Sequence, residues 1–161
     1  MVYCRPMTAD DKITFKRRLK QFALDQIGER LAVAREAIAQ AQEAANQEEK
    51  SSAGDKYETA RAMSHLQKDM YTRQLLENQK EFSGIQAIHV DVLYDTARSG
   101  AFIKTETNDF FIVAGLGKQV YQGHALIFLS PQAPLARLLQ GKAAGEKVTI
   151  NNTPIEIVDV F

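Results

Sequence analysis

The stretch from residue 8 to residue 82 contains no proline and only two glycines, Gly28 and Gly54. Ala, Glu, Gln, Lys, Arg and Leu, which are strong helix formers, dominate it. Thr8 or Asp10 can cap the start of a helix, and Pro6 lies outside that helix. The stretch therefore predicts helix over nearly half of the chain, and the fold must accommodate a long rod.

Apolar residues recur at alternating spacings of three and four in the first part of this stretch, which is the pattern of a coiled-coil seam. The seam consists of Leu24, Ile27, Leu31, Ala34, Ile38, Ala41 and Ala45. The segment Lys50–Gly54 interrupts the helix, because Gly54 can adopt a left-handed conformation that ends it. A second helix is expected from about Asp55 to Lys80.

If the chain folds back at this break, paired positions have residue numbers that add up to about 104 or 105. The expected pairs are Ala45 with Ala60, Ala41 with Met63, Ile38 with Leu66, and Ala34 with Met70. A first helix over residues 10–49 would be about 60 Å long at 1.5 Å per residue. Because a small core cannot bury such a rod, most of the antiparallel hairpin is expected to extend into solvent or into a partner.

After Ser83-Gly84 the apolar period changes from about 3.6 to 2, which indicates strands. Strands are expected over residues 85–93, 101–105, 110–113, 125–129, 147–150 and 155–160, with a two-residue turn at Asn151-Asn152. One short helix is expected over residues 135–140, with Pro134 in its first turn and Gly141 beyond its end. Gly115–Lys118 is interpreted as a flexible connection. The prediction is an α+β chain: hairpin 1–82 with its tip at about 46–57, then domain 83–161.

The charges of the chain balance, which argues against a protein that coats nucleic acid. Up to Phe82 there are 14 Lys and Arg against 13 Asp and Glu, and after it 6 against 7. The densest basic cluster is interpreted as a solvated helix face and comprises Lys16, Arg17, Arg18 and Lys20. One cysteine, Cys4, and the lack of a membrane-length apolar run predict a cytoplasmic protein without membrane contact.

No residue pattern in the sequence indicates a catalytic or metal site of its own. His65, His89 and His124 lie far apart and lack ligand spacing, so no metal is expected. Cys4 has no histidine near it in sequence, so a nucleophile is not expected there. The chain is therefore predicted to be no enzyme, with no cofactor.

The segment from Ser130 to Val148 resembles the signature of the C-terminal domain of the bacterial Gre-type transcription factors. That signature has Ser-Pro, a short apolar helix, Gly-Lys, Gly-Asp/Glu and a closing pair of strands. Here it reads Ser130-Pro131, residues 135–140, Gly141-Lys142 and Gly145-Glu146, with Gln132-Ala133 as an insertion. Gly100-Ala101-Phe102-Ile103 is similar to the family's Gly-Ala-x-Val segment. The resemblance implies an FKBP-like antiparallel β domain that docks on RNA polymerase through Ser130, Pro131, Leu135, Arg137, Gly141 and Lys142.

The hairpin resembles the family's coiled coil, whose tip has the form Asp-Leu-Ser-Glu-Asn-Ala-Glu-Tyr. Aligning Tyr57 with the family tyrosine keeps Ser52 in place and puts Lys50 and Ala53 at the two acidic positions. In the family those two acids are thought to help hold a catalytic Mg²⁺ in the polymerase active site, and neither Lys50 nor Ala53 offers a ligand for it. Glu49 and Asp55 flank the turn as substitutes. The candidate tip residues are Glu48, Glu49, Lys50, Ser52, Asp55 and Tyr57.

The resemblance implies a monomer whose coiled coil enters the secondary channel of RNA polymerase and modulates elongating or paused complexes. Contact with the nascent RNA would be indirect, any Mg²⁺ would belong to the polymerase, and stimulation of RNA cleavage is doubtful because of Lys50 and Ala53. Two alternatives remain open from the sequence: an FKBP-like peptidyl-prolyl isomerase or chaperone, and a coiled-coil oligomerisation module. The lack of tryptophan disfavours the isomerase.

Overall fold

The computed structural model describes residues 6–49 and 54–161, and it confirms an α+β chain of two long helices, six strands and one short helix. In chain order the elements are α1 Ala9–Glu49, α2 Gly54–Ala87, β1 Phe102–Thr105, β2 Asp109–Ile112, β3 Gly117–Tyr121, β4 His124–Leu129, α3 Pro134–Leu139, β5 Lys147–Ile150 and β6 Thr153–Val160.

The described residues form two compact units. The sheet unit comprises the chain up to Leu24 together with Ile85–Phe161, and the hairpin unit comprises Asp25–Gly84. The start of α1 belongs to the sheet unit in this division, whereas the predicted boundary between residues 82 and 83 keeps α1 whole. That boundary stays a prediction.

Helix α1 begins with a reciprocal cap formed by Thr8 and Asp11. The Thr8 hydroxyl accepts the Asp11 amide at 3.2 Å, and the Thr8 amide donates to the Asp11 carboxylate at 2.9 Å. These two hydrogen bonds satisfy backbone amides that have no partner inside the helix. The carboxylates of Asp10 and Asp11 also interact favourably with the positive end of the helix dipole. The predicted cap at Thr8 and the exclusion of Pro6 from the helix are confirmed.

The inner face of α1 in the hairpin unit follows the predicted seam. Ile27, Leu31, Ala34 and Ala41 are buried, while Ile38 and Ala45 are half-buried. In α2, however, three of the four predicted partners are wrong, because Met63, Leu66 and Met70 are 56%, 65% and 47% exposed; the fourth, Ala60, is half-buried.

Beside Met63 and Met70, the residue of α2 that turns inward is the next one along the chain. Ser64 is buried, and the half-buried residues after it include Tyr71, Leu75 and Asn78. Ala34 and Tyr71 line one groove of about 510 Å³ between the helices, so paired numbers add up to about 105. A shift of one residue turns a side chain by about 100° around a helix. The prediction chose apolar Met63, Leu66 and Met70 over their polar neighbours.

We expect Leu31→Ala to lower the free energy of unfolding of the hairpin unit by about 2 to 4 kcal/mol, because it leaves a cavity at a buried site. Leu66→Ala removes the same atoms from an exposed site and should change the value by less than about 0.5 kcal/mol. Urea unfolding followed by helical circular dichroism measures both. Equal losses in the two variants would contradict the inner face described above.

Helix α2 is longer than predicted and replaces the start of an expected strand. It continues through Ser83-Gly84 to Ala87, and Ile85 in its last turn is buried. The prediction of a strand over 85–93 is therefore wrong. Ser83 and Gly84 are weak helix formers, but burial of Ile85 favours one more helical turn, and tertiary packing overrides local propensity.

The sheet has the strand order β3-β4-β2-β1-β6-β5. Four of its five pairings are antiparallel, as predicted, but β2 and β4 are parallel, with Phe110 opposite Ile127. Strand β3 occupies part of the segment expected to be a flexible connection. The strand was not predicted because Lys118 and Gln119 are two polar residues in succession, which interrupts the alternation of apolar and polar residues. The Asn151-Asn152 turn is confirmed, with φ of 51° and 63°.

The two faces of the sheet carry different packing. One face holds the apolar core beneath α3, which includes Ile103, Phe110, Ile112, Leu139 and Ile157. The other face presents aromatic rings to the start of α1: Phe102 lies 5.3 Å from Phe15, and Phe128 lies 5.7 Å from Phe22, between ring centroids. Alternate residues of a strand point to opposite faces, which separates Phe102 from Ile103.

Three lysines one helical turn apart join α1 to the rest of the sheet unit. Lys16 is fully buried; its ammonium donates to the carbonyls of Val92 at 2.6 Å and Gly100 at 3.2 Å. Lys20 donates to the carbonyl of Gln86 in the last turn of α2 and to that of Ile88 just after it, and Lys12 pairs with Asp159 at 2.7 Å. Arg17 pairs with Asp91. The interpretation of this cluster as a solvated face is therefore wrong for Lys16 and Lys20.

Gly100 allows two segments of the sheet unit to lie against each other. Its φ is +87°, and a Cβ there would lie 2.2 Å from the carbonyl oxygen of His89. Backbone oxygen cannot move aside as a side chain can. Glycine is required at position 100 because of this close approach as well as the left-handed conformation.

We expect Gly100→Ala to lower the free energy of unfolding by more than about 2 kcal/mol, since strain and collision add. Gly117→Ala is the matched control, because Gly117 also has a positive φ, of +69°, but a Cβ added there would meet no heavy atom within 4 Å. Its cost should stay near about 1 kcal/mol, roughly that of the left-handed conformation alone. Chemical denaturation measures the free energy of unfolding of both variants. If Gly117→Ala loses as much stability as Gly100→Ala, the contact between a Cβ at position 100 and the His89 oxygen does not contribute.

Lys16 gives the stability of the sheet unit a defined dependence on pH. Burial lowers the pKa of Lys16 from 10.5 to about 8, against the opposite influence of the Asp91 carboxylate. Between these two pH values the unfolded chain holds a proton on Lys16 that the folded chain has lost, so the contribution of Lys16 to the free energy of unfolding rises with pH. Below pH 8 both states are protonated and the contribution is constant.

Denaturation of the wild type and Lys16→Met at pH 7, 8, 9 and 10 measures this contribution as a difference, in which the other titrating groups cancel. The stability of the wild type relative to Lys16→Met should rise from pH 8 to pH 10. A relative stability that falls over this range would mean that the folded state raises the pKa of Lys16.

Candidate partner-docking surface

The predicted tip residues cannot be placed by their side chains. Lys50 and Ser52 lie outside the described residues, while α1 ends at Glu49 and α2 begins at Gly54. Gly54, predicted to belong to the turn, is thus the first residue of α2. The side chains of the remaining tip candidates also lie outside the described part of the chain: Glu48, Glu49, Asp55 and Tyr57.

The segment from Ser130 to Glu146, here called the signature segment, lies between β4 and β5 and contains α3. A turn precedes α3, in which the Ala133 amide donates to the Ser130 carbonyl at 2.9 Å. Gln132, half of the two-residue insertion in the family pattern, lies in this turn and accepts the Ser130 hydroxyl at 2.7 Å. Pro134 follows as the first helical residue, where its missing N–H costs nothing.

Helix α3 buries one face and presents the other to solvent. Ala136 and Leu139 are buried in the core, and Leu135 packs against it. Arg137 is exposed, and Leu138 beside it is 46% exposed. Leu138 was missing from the predicted docking residues, although its position between the buried Ala136 and Leu139 could have indicated an outward side chain.

Backbone hydrogen bonds hold the end of the signature segment against the strand-free segment before β1. The Gly141 amide donates to the Ala97 carbonyl, and the Ala97 amide donates to the Lys142 carbonyl, each at 2.8 Å. Gly141 has a φ of +79°, which ends α3 as predicted. The segment is thus an irregular surface that backbone hydrogen bonds hold in place, and such surfaces often bind partner proteins.

Glu146 closes the segment by accepting hydrogen bonds from its own turn. Its carboxylate accepts the Ala143 amide at 2.6 Å and the Lys142 ammonium at 3.3 Å. The Ala143 hydrogen bond, followed by the one from Lys142, holds the pKa of Glu146 below its usual value. Half-buried Lys142, a predicted docking residue, is therefore already engaged within the chain.

The predicted docking residues do share one continuous segment, but they differ in exposure. Ser130, Pro131, Leu135 and Lys142 are half-buried, while Arg137 and Gly141 are exposed. The side chain most available for contact with a partner is Arg137, together with the unpredicted Leu138. A docking surface built on this segment would use the outer face of α3.

A second concavity of about 400 Å³ lies on the aromatic face of the sheet, among Phe15, Phe102, Tyr121 and Phe161. An ion pair of Lys12 with Asp159 borders it, and so does a hydrogen bond between His124 and Asp109 at 2.6 Å. Among the described residues, no three His, Cys, Asp or Glu side chains cluster closely enough to hold a metal ion.

Comparisons with known proteins find likeness among solved structures and no match by sequence. No protein-family model and no curated protein matches the sequence. Among solved structures, the chain matches a structure of the transcription factor Gfh1 at 13% sequence identity and a TM-score of 0.34, over 85% of this chain and 92% of that chain. A likeness of this size does not establish a family. Within residues 6–49 and 54–161, no helix is both long and apolar enough to cross a membrane.

Proposed function

We propose that the chain is an RNA polymerase-binding transcription factor of the Gre type. The observation that carries the proposal is the signature segment, in which the residues that resemble the family pattern lie together on a fixed support and α3 turns Arg137 and Leu138 to the outside. Pro134 starts α3, Gly141 ends it at φ +79°, and Gly145 turns the chain into β5 at φ +87°. The resemblance therefore extends to residues whose backbone geometry needs those residue types.

In this proposal the two units divide the work. The sheet unit docks on the polymerase through the outer face of α3, and the hairpin enters the secondary channel. Helix α1 has 41 residues and is therefore about 62 Å long. A helix of this length exceeds what a small core needs, so insertion into a partner gives it a purpose that surface docking alone does not.

The chain carries no Mg²⁺ of its own in this proposal, and RNA hydrolysis belongs to the polymerase. Carboxylate oxygens are the ligands that Mg²⁺ prefers, and the two aligned tip positions are Lys50 and Ala53. A lysine ammonium near the doubly charged metal would also repel it, by about 2 kcal/mol at roughly 4 Å even in a water-like medium. The factor is therefore proposed to modulate elongating or paused complexes with little stimulation of cleavage.

The two alternatives have less support. For a prolyl isomerase, aromatic residues of the sheet would have to line an apolar pocket. The concavity that Phe102 lines also carries the charged side chains of Lys12 and Asp159, and Phe111 and Phe128 are buried. For an oligomerisation module, the coiled-coil seam of α1 would have to be available, yet Leu31 and Ala34 are buried within the chain.

We expect tagged full-length chain to bind RNA polymerase core enzyme, and Leu138→Asp to weaken that binding about tenfold, because a charge replaces apolar contact area. Val120→Asp is the matched control: Val120 is 64% exposed on β3, in the same unit. Fluorescence anisotropy with labelled chain measures the affinities. Absence of wild-type binding would refute the proposed function, and equal affinities of the two variants would refute the docking face.

Transcript cleavage by backtracked polymerase complexes tests the tip. The wild type should stimulate cleavage weakly or not at all, whereas Lys50→Asp with Ala53→Glu should raise it by restoring two carboxylates. Robust wild-type stimulation that survives Glu49→Ala and Asp55→Ala would contradict both the loss of cleavage and its rescue by substitute acids.

A further inference from the structure

A groove of about 480 Å³ lies beside the signature segment, within the sheet unit. We call it the Arg98 groove; the residues that matter in it are His89, Tyr94, Arg98, Ser99, Gln140 and Gly141. Its walls are fixed, because the Gly141 amide donates to the Ala97 carbonyl and Gly100 leaves only 2.2 Å between a potential Cβ and the His89 oxygen. The groove is therefore preformed rather than a gap between loose loops.

Arg98 is the principal charge in this groove. Its guanidinium carbon lies 5.1 Å from the centroid of the Tyr94 ring, and the residue is exposed. Among the described residues, Arg98 forms no ion pair. The aromatic ring holds the guanidinium in place without neutralising it, so its donors remain available to a ligand.

The surroundings of Arg98 favour an anion. The Tyr94 ring also faces the ammonium of Lys16 at 4.6 Å, and the Tyr94 hydroxyl donates to the His89 carbonyl at 3.0 Å. Two cations thus share one ring, and the charge on buried Lys16 is poorly screened by water. None of the described residues that line the groove is acidic, while Ser99 and Gln140 add neutral donors.

The exposed residues that precede Tyr94 in the chain are more typical of a protein interface than of a nucleic-acid site. Val92 and Leu93, in the segment that carries Tyr94, are 53% and 40% exposed. Apolar residues around a single arginine are usual in protein interfaces. Nucleic-acid binding usually uses several phosphate contacts, and the net charge of this chain is zero.

We propose that the Arg98 groove binds an acidic side chain of the protein on which the signature segment docks, with the guanidinium of Arg98 pairing with the carboxylate. This rests on the proposed function, in which that protein is RNA polymerase. The fork of Arg98 can donate two parallel hydrogen bonds to one carboxylate, which lysine cannot do. The groove extends the docking surface from α3 to the segment before β1.

The test compares RNA polymerase core binding by the full-length wild type, Arg98→Glu, Arg98→Lys and Lys118→Glu. Lys118 is exposed on the edge strand β3, so Lys118→Glu makes the same change of charge away from the groove. Arg98→Glu should bind at least about tenfold more weakly, Arg98→Lys should fall between it and the wild type, and Lys118→Glu should differ from the wild type by less than about twofold. Thermal unfolding of each variant checks that it folds.

If the wild type binds polymerase and Arg98→Glu binds as tightly as Lys118→Glu, the groove proposal is overturned while the proposed function stands. If the wild type does not bind, the proposed function fails, and a titration with hexaglutamate peptide followed by amide NMR decides on the groove. Shifts at the Arg98 side chain, Ser99 and Gly141 that vanish in Arg98→Ala would support it. No shifts, or larger shifts with a ten-nucleotide RNA, would overturn it.

Discussion

The buried ammonium of Lys16 is the constraint on which the sheet unit depends. Removing a charge from water is costly unless hydrogen bonds compensate, and here the carbonyls of Val92 and Gly100 provide them. Gly100 itself lies against the His89 carbonyl with a φ of +87° that favours glycine. Helix α1, the segment after α2 and the start of β1 are thereby tied together at one atom, and the aromatic packing of Phe15 on Phe102 follows from that position.

The sequence predicted helices and strands better than it predicted which residues of α2 face α1. The apolar spacing that includes Leu31 predicted the inner face of α1, because apolar periodicity and burial agree there. It failed on α2, where Leu66 is exposed and Ser64 is buried, because nothing in a hydrophobic pattern marks a polar residue as inward. It also failed at Ile85, since a short apolar run can end a helix as readily as begin a strand.

The candidate site could be predicted only in part for a related reason. The signature segment is local in sequence, so its turn, helix and glycines follow from residue types such as Pro134 and Gly141. The Arg98 groove combines residues from three separate stretches of chain, around His89, Arg98 and Gln140. No spacing rule connects them, and only the fold brings a lysine of α1 to the Tyr94 ring.

The pairing of Lys12 with Asp159 spans 147 positions, and Phe102 exchanges two backbone hydrogen bonds with Phe161. Contacts so distant along the chain close late, because the entropy of a long loop must be lost first. During synthesis, the hairpin unit can form from neighbouring residues while the start of α1 has nothing to pack against. Until β1 to β4 leave the ribosome, Phe15 and Phe22 lack the aromatic rings that they pack against in the folded chain. The beginning of this chain therefore exposes apolar surface during synthesis for longer than its middle does.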